Sequence, residues 1–154
     1  MKQIACVALV LLLAAAAANS LATKNTEKAE TMPAKGKFEV NLLPQKDDKS
    51  PAGRMVIEKT YLGDIKGAGT GQMISKRTEN GSAVYFAIEE FSGSVNGKSG
   101  AFTLIHKGYL SKESQSLEVE ILRGSGSGEL GNISGSMVIV QDENGHKYEL
   151  KYEL

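Results

Sequence analysis

The amino-acid sequence predicts an all-β protein, a single eight-stranded antiparallel β-barrel that follows an N-terminal signal peptide. From residue 35 onward, apolar and polar side chains alternate with a period of two, which is typical of strands with one buried face. Clusters of Gly, Asn, Asp and Ser mark turns between these stretches, and no stretch has the periodicity of a helix. About eight short strands of this kind form a sandwich or a barrel. We favour the barrel because closure removes exposed strand edges.

The N-terminus has the features of a secretory signal peptide, residues 1–22. Lys2 provides a basic start, residues 4–18 form an uncharged run rich in Ala, and Ser20-Leu21-Ala22 supplies small residues for cleavage after Ala22. The apolar run is shorter than the roughly 20 residues that a membrane-spanning helix needs. The sequence therefore predicts a periplasmic or secreted protein with no membrane span after cleavage.

Cleavage there leaves 132 residues with 17 basic and 18 acidic side chains and no cysteine, because Cys6 belongs to the signal peptide. Such a chain has neither an internal disulfide nor a catalytic thiol. The balanced charge offers no basic surface for phosphate groups, so nucleic acid is not an expected partner.

Residues 23–34 predict a flexible linker. They are mostly polar, show no periodicity, and include only Met32 and Pro33 as apolar side chains larger than a methyl group. The barrel domain is expected to occupy residues 35–154.

Each stretch of alternating residues in this domain predicts one strand. The predicted ranges are 37–43, 54–62, 68–77, 83–91, 100–110, 116–123 and 133–140, with a final strand after residues 144–145. The Asn-Gly pairs at 80–81, 96–97 and 144–145 are typical of tight hairpins. The final strand has the clearest pattern, since Tyr148, Leu150, Tyr152 and Leu154 share one face and charged residues occupy the other.

Several motifs, most of them containing glycine, occur in a recognisable order along the domain. They are residues 35–40, 59–67, 81–89, 93–102 followed by His106, and 124–130. With these motifs the chain resembles a family of small bacterial proteins that form a domain of unknown function, over about residues 35–154. The resemblance implies an eight-stranded antiparallel barrel like that of allene oxide cyclase. It implies no established activity.

Three polar residues are candidates for a site inside the barrel or at its rim. Lys59 ends an apolar series on one face of the second strand, and His106 ends one in the fifth. Inside an apolar lumen each would need a polar partner, because burying an unpaired charge is costly. Glu89 of the fourth strand is the expected partner. Lys59, Glu89 and His106 are also the candidates for catalysis, although the pattern assigns no catalytic role to any of them.

The fourth strand is ambiguous by pattern alone. Tyr85 and Glu89 lie on one face, whereas Phe86 and Ile88 lie on the other, which is no less apolar. The family resemblance favours Tyr85 and Glu89 as the inward residues. The alternative interpretation of Lys59, Glu89 and His106 is a structural or solvated polar cluster at one end of the barrel.

Other motifs argue against specific chemistries. Residues 67–71 are rich in glycine but lack the helix and the Lys-Ser/Thr pair of a phosphate-binding loop, so a bend of the strand explains them better. Residues 124–128 predict a flexible loop at the rim. His106 and His146 have no nearby cysteine for a zinc site, and no nucleophile elbow is present. We therefore expect no metal and no cofactor.

The favoured function is the binding of a small apolar or amphipathic molecule in the lumen or at its mouth. Tyrosine suits such a site because it combines apolar area with a hydroxyl group. The predicted ligand-binding residues are Lys59, Tyr61, Tyr85, Glu89, Phe102, His106, Tyr148 and Tyr152. One alternative is an isomerase or cyclase acting on an apolar substrate; another is a structural or interaction module of the cell envelope. A homo-oligomer is compatible with each of them.

Overall fold

The computed structural model describes residues 30–46 and 48–154. The predicted signal peptide, residues 1–22, and the first part of the predicted linker lie outside the described residues. Among the described residues there is no helix, and hence none of the length and apolarity that a membrane crossing requires.

Nine strands account for most of the described chain. They are β1 Met32–Gln45, β2 Gly53–Gly63, β3 Ile65–Arg77, β4 Ala83–Val95, β5 Lys98–Leu110, β6 Gln115–Ile121, β7 Ser127–Gly128, β8 Ser134–Asp142 and β9 Gly145–Glu153. The eight long strands correspond to the eight that the sequence predicts. The short β7 falls within the segment that was expected to be a loop.

These strands form one closed antiparallel barrel. Around the barrel the order is β4-β3-β2-β1-β9-β8-β6-β5, and pairing between β4 and β5 completes the circle. The short strand β7 pairs with Gly100 and Ala101 of β5. It lies on the same side of β5 as β6, which pairs with residues 104–110. The prediction of an eight-stranded antiparallel barrel is therefore confirmed.

The first strand begins at Met32, within the segment that the sequence predicts as a linker. Ala34 is fully buried and lies opposite Leu150 of β9, so this part of the chain contributes to the core. The alternation of apolar and polar residues does not reveal this part of the strand, because alanine and proline contribute little to an apolar pattern.

The tight turn between β4 and β5 follows from its sequence. Asn96 and Gly97 both have positive φ angles, 48° and 82°, and they connect the paired residues Val95 and Lys98. This geometry is that of a two-residue hairpin, for which Asn-Gly is the favoured pair.

One end of the barrel, here called the closed end, is filled by aromatic side chains. The ring centroids of Phe91 and Phe102 lie 4.8 Å apart, and Tyr61 contacts Phe91 edge to face at 5.6 Å. Leu130 and Ile133, from the segment between β7 and β8, are buried in the same core. Part of the segment predicted as a flexible rim loop, residues 124–128, thus forms β7, and Gly128 allows its close approach to β5. The residues that follow it plug this end of the barrel.

Candidate functional site

The barrel brings four polar side chains to its interior from three strands. Lys59 and Tyr61 lie on β2, Glu89 on β4 and His106 on β5, and all four are buried. Register determines this placement, since Glu89 belongs to the inward series of β4 that includes Ala87 and Phe91. The structure thus selects Tyr85 and Glu89, rather than Phe86 and Ile88, as inward residues.

Glu89 is the centre of the cluster, with a side chain that is 0% exposed. Lys59 Nζ donates to Glu89 Oε2 at 2.6 Å, and the Tyr61 hydroxyl donates to Oε1 at 2.8 Å. Lys59 Nζ also lies 3.4 Å from the Tyr61 hydroxyl oxygen. Each carboxylate oxygen of Glu89 therefore has a partner, as a buried carboxylate requires.

His106 approaches the same carboxylate from the neighbouring strand. Its Nε2 atom lies 2.9 Å from Glu89 Oε2. The ring is oriented so that this nitrogen makes no well-aligned hydrogen bond despite the short distance. The contact is therefore chiefly electrostatic.

Aromatic rings complete the surroundings of Lys59. Its Nζ atom lies 4.6 Å from the centroid of the Phe38 ring and 5.6 Å from that of Tyr61. An ammonium group over an aromatic face gains electrostatic stabilisation that increases when water is excluded. Phe38 is thus a cluster residue that the sequence reasoning missed, since an aromatic residue in an apolar series has no signal that distinguishes it from ordinary core.

Glycine at position 69 provides the room for the carboxylate. A Cβ atom on Gly69 would collide with Oε1 of Glu89 and would lie 2.9 Å from its Cδ atom. The sequence suggested that the glycines of β3 allow the strand to bend. The structure gives them a second role. They remove side chains from the wall against which Glu89 lies.

The surroundings of Glu89 favour the ionised form of its carboxyl group. Burial by itself would raise the pKa of this carboxyl group, but the contact with His106 and the charge of Lys59 outweigh burial and lower the pKa to about 2. Burial and the neighbouring Glu89 charge raise the pKa of Tyr61 far above its usual value, so its hydroxyl remains a donor. A carboxylate held ionised in this way is poorly matched to proton transfer near neutral pH.

The opposite end of the barrel, here called the mouth, contains a cavity of about 350 Å³. Its apolar lining comes mainly from Met55, Met73, Tyr85, Leu110 and Leu117. The lining also includes Gly108, and the next inward residue of β5 is His106. The cavity therefore lies one layer of side chains away from the polar cluster.

Tyr85 shapes the wall of this cavity. Its ring lies against Gly108 of β5, where any Cβ atom would collide with it. The ring is only partly buried, and burial raises the pKa of its hydroxyl group. A tyrosine that presents an apolar face and a hydroxyl to a cavity has the properties expected of a ligand contact.

The remaining predicted ligand residues lie elsewhere. Phe102, Tyr148 and Tyr152 are buried in the core of the closed end and do not line the mouth cavity. The hydroxyl of Tyr148 accepts from the backbone N–H of Ile65 at 2.8 Å, and that of Tyr152 accepts from the Asn96 amide at 3.0 Å. These tyrosines use their hydroxyl groups to connect strands and turns.

Two basic residues at the mouth were also missed by the sequence reasoning. Lys76 and Arg77 both line the cavity, and no acidic side chain is among the described residues that line it. Each donates to a backbone carbonyl, Lys76 to Pro51 and Arg77 to Gly81. Neither forms an ion pair within the described part of the chain. In the sequence they are two basic residues beside a predicted turn, and nothing in that pattern indicates a neighbouring cavity.

The described residues contain no group of three or more His, Cys, Asp or Glu side chains arranged to hold a metal ion. Glu89 and His106 are two potential metal ligands that lie close together. The ammonium group of Lys59, however, is bonded to the same oxygen atom of Glu89 that His106 approaches. The cluster as it stands is a hydrogen-bonded ion cluster.

The fold and this site define a class: a closed antiparallel β-barrel with a buried ion cluster, a packed end and an open, largely apolar mouth. Residues 34–152 match the family model described as "Protein of unknown function (DUF3224)". The chain belongs to this family, as the sequence resemblance predicted.

A solved structure supports the assignment. A crystal structure of a protein with unknown function from the DUF3224 family, from Shewanella oneidensis MR-1, is similar to this chain with a TM-score of 0.75 and 34% sequence identity. The similarity covers 80% of this chain and 96% of the other. No curated protein matches this chain.

Proposed function

We propose that this protein binds a small amphipathic molecule in the mouth cavity, with the apolar part inside and an anionic group at the rim. The observation that supports the proposal most directly is the cavity of about 350 Å³, which exceeds the lower bound of roughly 300 Å³ for small-molecule pockets. Its interior is largely apolar, as such pockets are.

The rim favours an anionic group over a neutral or cationic one. Lys76 and Arg77 place two positive charges at the cavity, and no lining carboxylate neutralises them. A guanidinium group binds a carboxylate through paired hydrogen bonds, which are stronger than those between neutral groups. The hydroxyl of Tyr85 offers a further polar contact.

Three probes with the same chain and different head groups test this proposal: octanoate, 1-octanol and octylamine, titrated by calorimetry at neutral pH. We expect octanoate to bind most tightly and octylamine most weakly. Arg77→Gln should weaken octanoate binding by about tenfold and leave 1-octanol almost unchanged. Lys98→Gln, which removes a cation at the closed end, is the control and should have no effect.

The location of the site is tested separately by filling the cavity. Ala83 lines the cavity, whereas Ala68 of β3 is exposed on the outer face. Ala83→Trp should abolish octanoate binding, and Ala68→Trp should preserve it. Absence of binding by all three probes, or equal binding by the two tryptophan variants, would overturn the proposal.

We also propose that the protein acts in the periplasm or outside the cell, on the basis of the signal-peptide features of residues 1–22. Mass spectrometry of the protein isolated from its native cells should find a chain that begins at Thr23. A chain that retains residues 1–22 would contradict this.

A further inference from the structure

Two methionines lie side by side in the wall of the mouth cavity. Met55 of β2 and Met73 of β3 are register partners, and both line the cavity. Residues directly opposite each other on adjacent antiparallel strands have Cβ atoms about 5 Å apart. The two thioether side chains therefore belong to one area of the wall.

The barrel leaves these two methionines accessible through its mouth. Met55 belongs to the inward series of β2, in which the next residue, Ile57, is buried. Met55 and Met73 themselves are only half-buried. Since both side chains line the cavity, their remaining exposed area faces a space that small molecules enter from the solvent.

The other two methionines among the described residues are packed differently. Met137 of β8 is 3% exposed and belongs to the hydrophobic core. Met32 packs against the core at the closed end, where it lies opposite Tyr152 of β9. Neither of them lines the mouth cavity. The chain thus provides an internal comparison for the reactivity of the cavity pair.

We propose that Met55 and Met73 form a site of oxidation by hydroperoxides, and that their oxidation weakens ligand binding in the mouth cavity. The first part stands on the accessibility of the two thioether groups, and the second rests on the function proposed above. A sulfur lone pair attacks one peroxide oxygen, so that an S–O bond forms and the O–O bond breaks. The sulfur loses two electrons and becomes a sulfoxide. The peroxide is reduced to water, or to an alcohol if it is organic, as the proton of the attacked hydroxyl passes to the leaving oxygen.

Oxidation changes the character of the cavity wall. Methionine sulfoxide is polar, whereas the thioether is apolar, and methionine sulfoxide reductases reverse the change. An apolar chain that covers a sulfoxide oxygen excludes water from it without offering a hydrogen bond, which is costly. The pair lies in the apolar wall rather than at the basic rim of Lys76 and Arg77. Affinity should therefore fall for every ligand with an apolar chain, whatever its head group.

Limited treatment of the folded protein with hydrogen peroxide, followed by peptide mass spectrometry, tests the site. We expect Met55 and Met73 to be oxidised about tenfold faster than Met137, whose sulfur becomes accessible only when the structure opens locally. Treatment in urea is the control, because unfolding should make the three rates equal. Equal rates in the folded protein would overturn the first part of the proposal.

Calorimetric titration with octanoate and 1-octanol, before and after oxidation, tests the effect on binding. We expect the affinity for both probes to fall by about tenfold, whereas Arg77→Gln should affect octanoate alone. Two double variants, each compared with itself before and after peroxide, locate the effect. Met55→Leu with Met73→Leu should be insensitive to peroxide, whatever its initial affinity. Met32→Leu with Met137→Leu, the matched control, should lose affinity on treatment as the wild type does.

The outcomes separate this inference from the proposed function. If the untreated protein binds neither probe, the proposed function fails and the effect on binding fails with it, while the order of oxidation is still measured. If the untreated protein binds both probes and oxidation leaves its affinity unchanged, only the present inference is overturned. The melting temperature of each oxidised sample separates loss of binding from loss of folding, and an oxidised protein that no longer folds would also contradict the proposal.

Discussion

Lys59 Nζ lies 2.6 Å from Glu89 Oε2 inside the barrel, and both side chains are almost entirely withdrawn from water. Removing two charges from water costs several kcal/mol for each ion, and their attraction offsets this only when the remaining polar atoms are also satisfied. Tyr61 supplies that satisfaction at Glu89 Oε1, and His106 Nε2 adds an electrostatic contact at Oε2. The folded state therefore depends on the cluster being complete, and this leads to the predictions that follow.

Replacing Glu89 by glutamine should lower the free energy of unfolding by about 3 kcal/mol or more, because Lys59 would be left buried without its counter-charge. Urea denaturation at neutral pH measures this loss. Glu90→Gln is the matched control: Glu90 is the next residue of the same strand but is exposed, so its loss should remain below about 0.5 kcal/mol. A loss below that bound for Glu89→Gln would show that the ion cluster is not needed for stability.

The cluster also makes stability depend on pH in a defined direction. The pKa of Glu89 is lowered from 4.5 to about 2 in the folded state, so the unfolded chain binds a proton more readily than the folded one. The stabilisation by Glu89 is therefore fully present above about pH 5 and is lost as pH falls toward about 2. Urea denaturation repeated over this range should show a smaller decline for Glu89→Gln than for the wild type. Parallel declines would contradict the prediction.

Replacing Gly69 by alanine should destabilise the fold by about 2 kcal/mol, because the new methyl group collides with the Glu89 carboxylate and forces it away from its partners. Gly53→Ala is the control, since the nearest atom to its added methyl group would be Ser75 Oγ at 3.4 Å. That variant should be neutral or slightly more stable. If thermal melting finds the two variants equal, the close approach of Glu89 to β3 does not hold.

Removing the hydroxyl of Tyr61 should cost about 1.5 kcal/mol, because Glu89 Oε1 loses its donor in a site that water does not reach. Tyr61→Phe preserves the ring and its contact with Lys59, so the loss reports on the hydrogen bond. Tyr109→Phe, which changes an exposed ring, should leave the unfolding free energy unchanged. The same denaturation experiment compares the two, and an unchanged stability for Tyr61→Phe would contradict the role of this donor.

Several features of the cluster follow directly from the sequence. Lys59 and His106 each continue an apolar series on one face of a strand, so their inward orientation follows from the period of two. The sequence also predicts their pairing with Glu89, because a buried ammonium or imidazole group needs a polar partner. The face of Glu89 itself required the family resemblance, because Phe86 and Ile88 make the outer face of β4 as apolar as the inner one.

Periodicity alone leaves other placements open. Phe86 and Ile88 are as apolar as core residues, and they lie on the outer surface of β4, as the family resemblance favoured. Phe102, Tyr148 and Tyr152 look like ligand contacts, yet they fill the closed end. The likeness to the allene oxide cyclase barrel stays a prediction of the resemblance.

The sequence by itself determined the eight long strands, the antiparallel hairpins and the class of the fold, because alternation and turn residues act over a few neighbouring positions. Only the tertiary structure decided how the strands that no hairpin joins lie side by side, and with them the distances within the Lys59–Glu89 cluster, the space at Gly69 and the cavity beside Arg77. The physical reason is that these features depend on register and barrel closure, which connect residues far apart in the chain, such as Met32 with Tyr152. A local pattern carries no information about those distances.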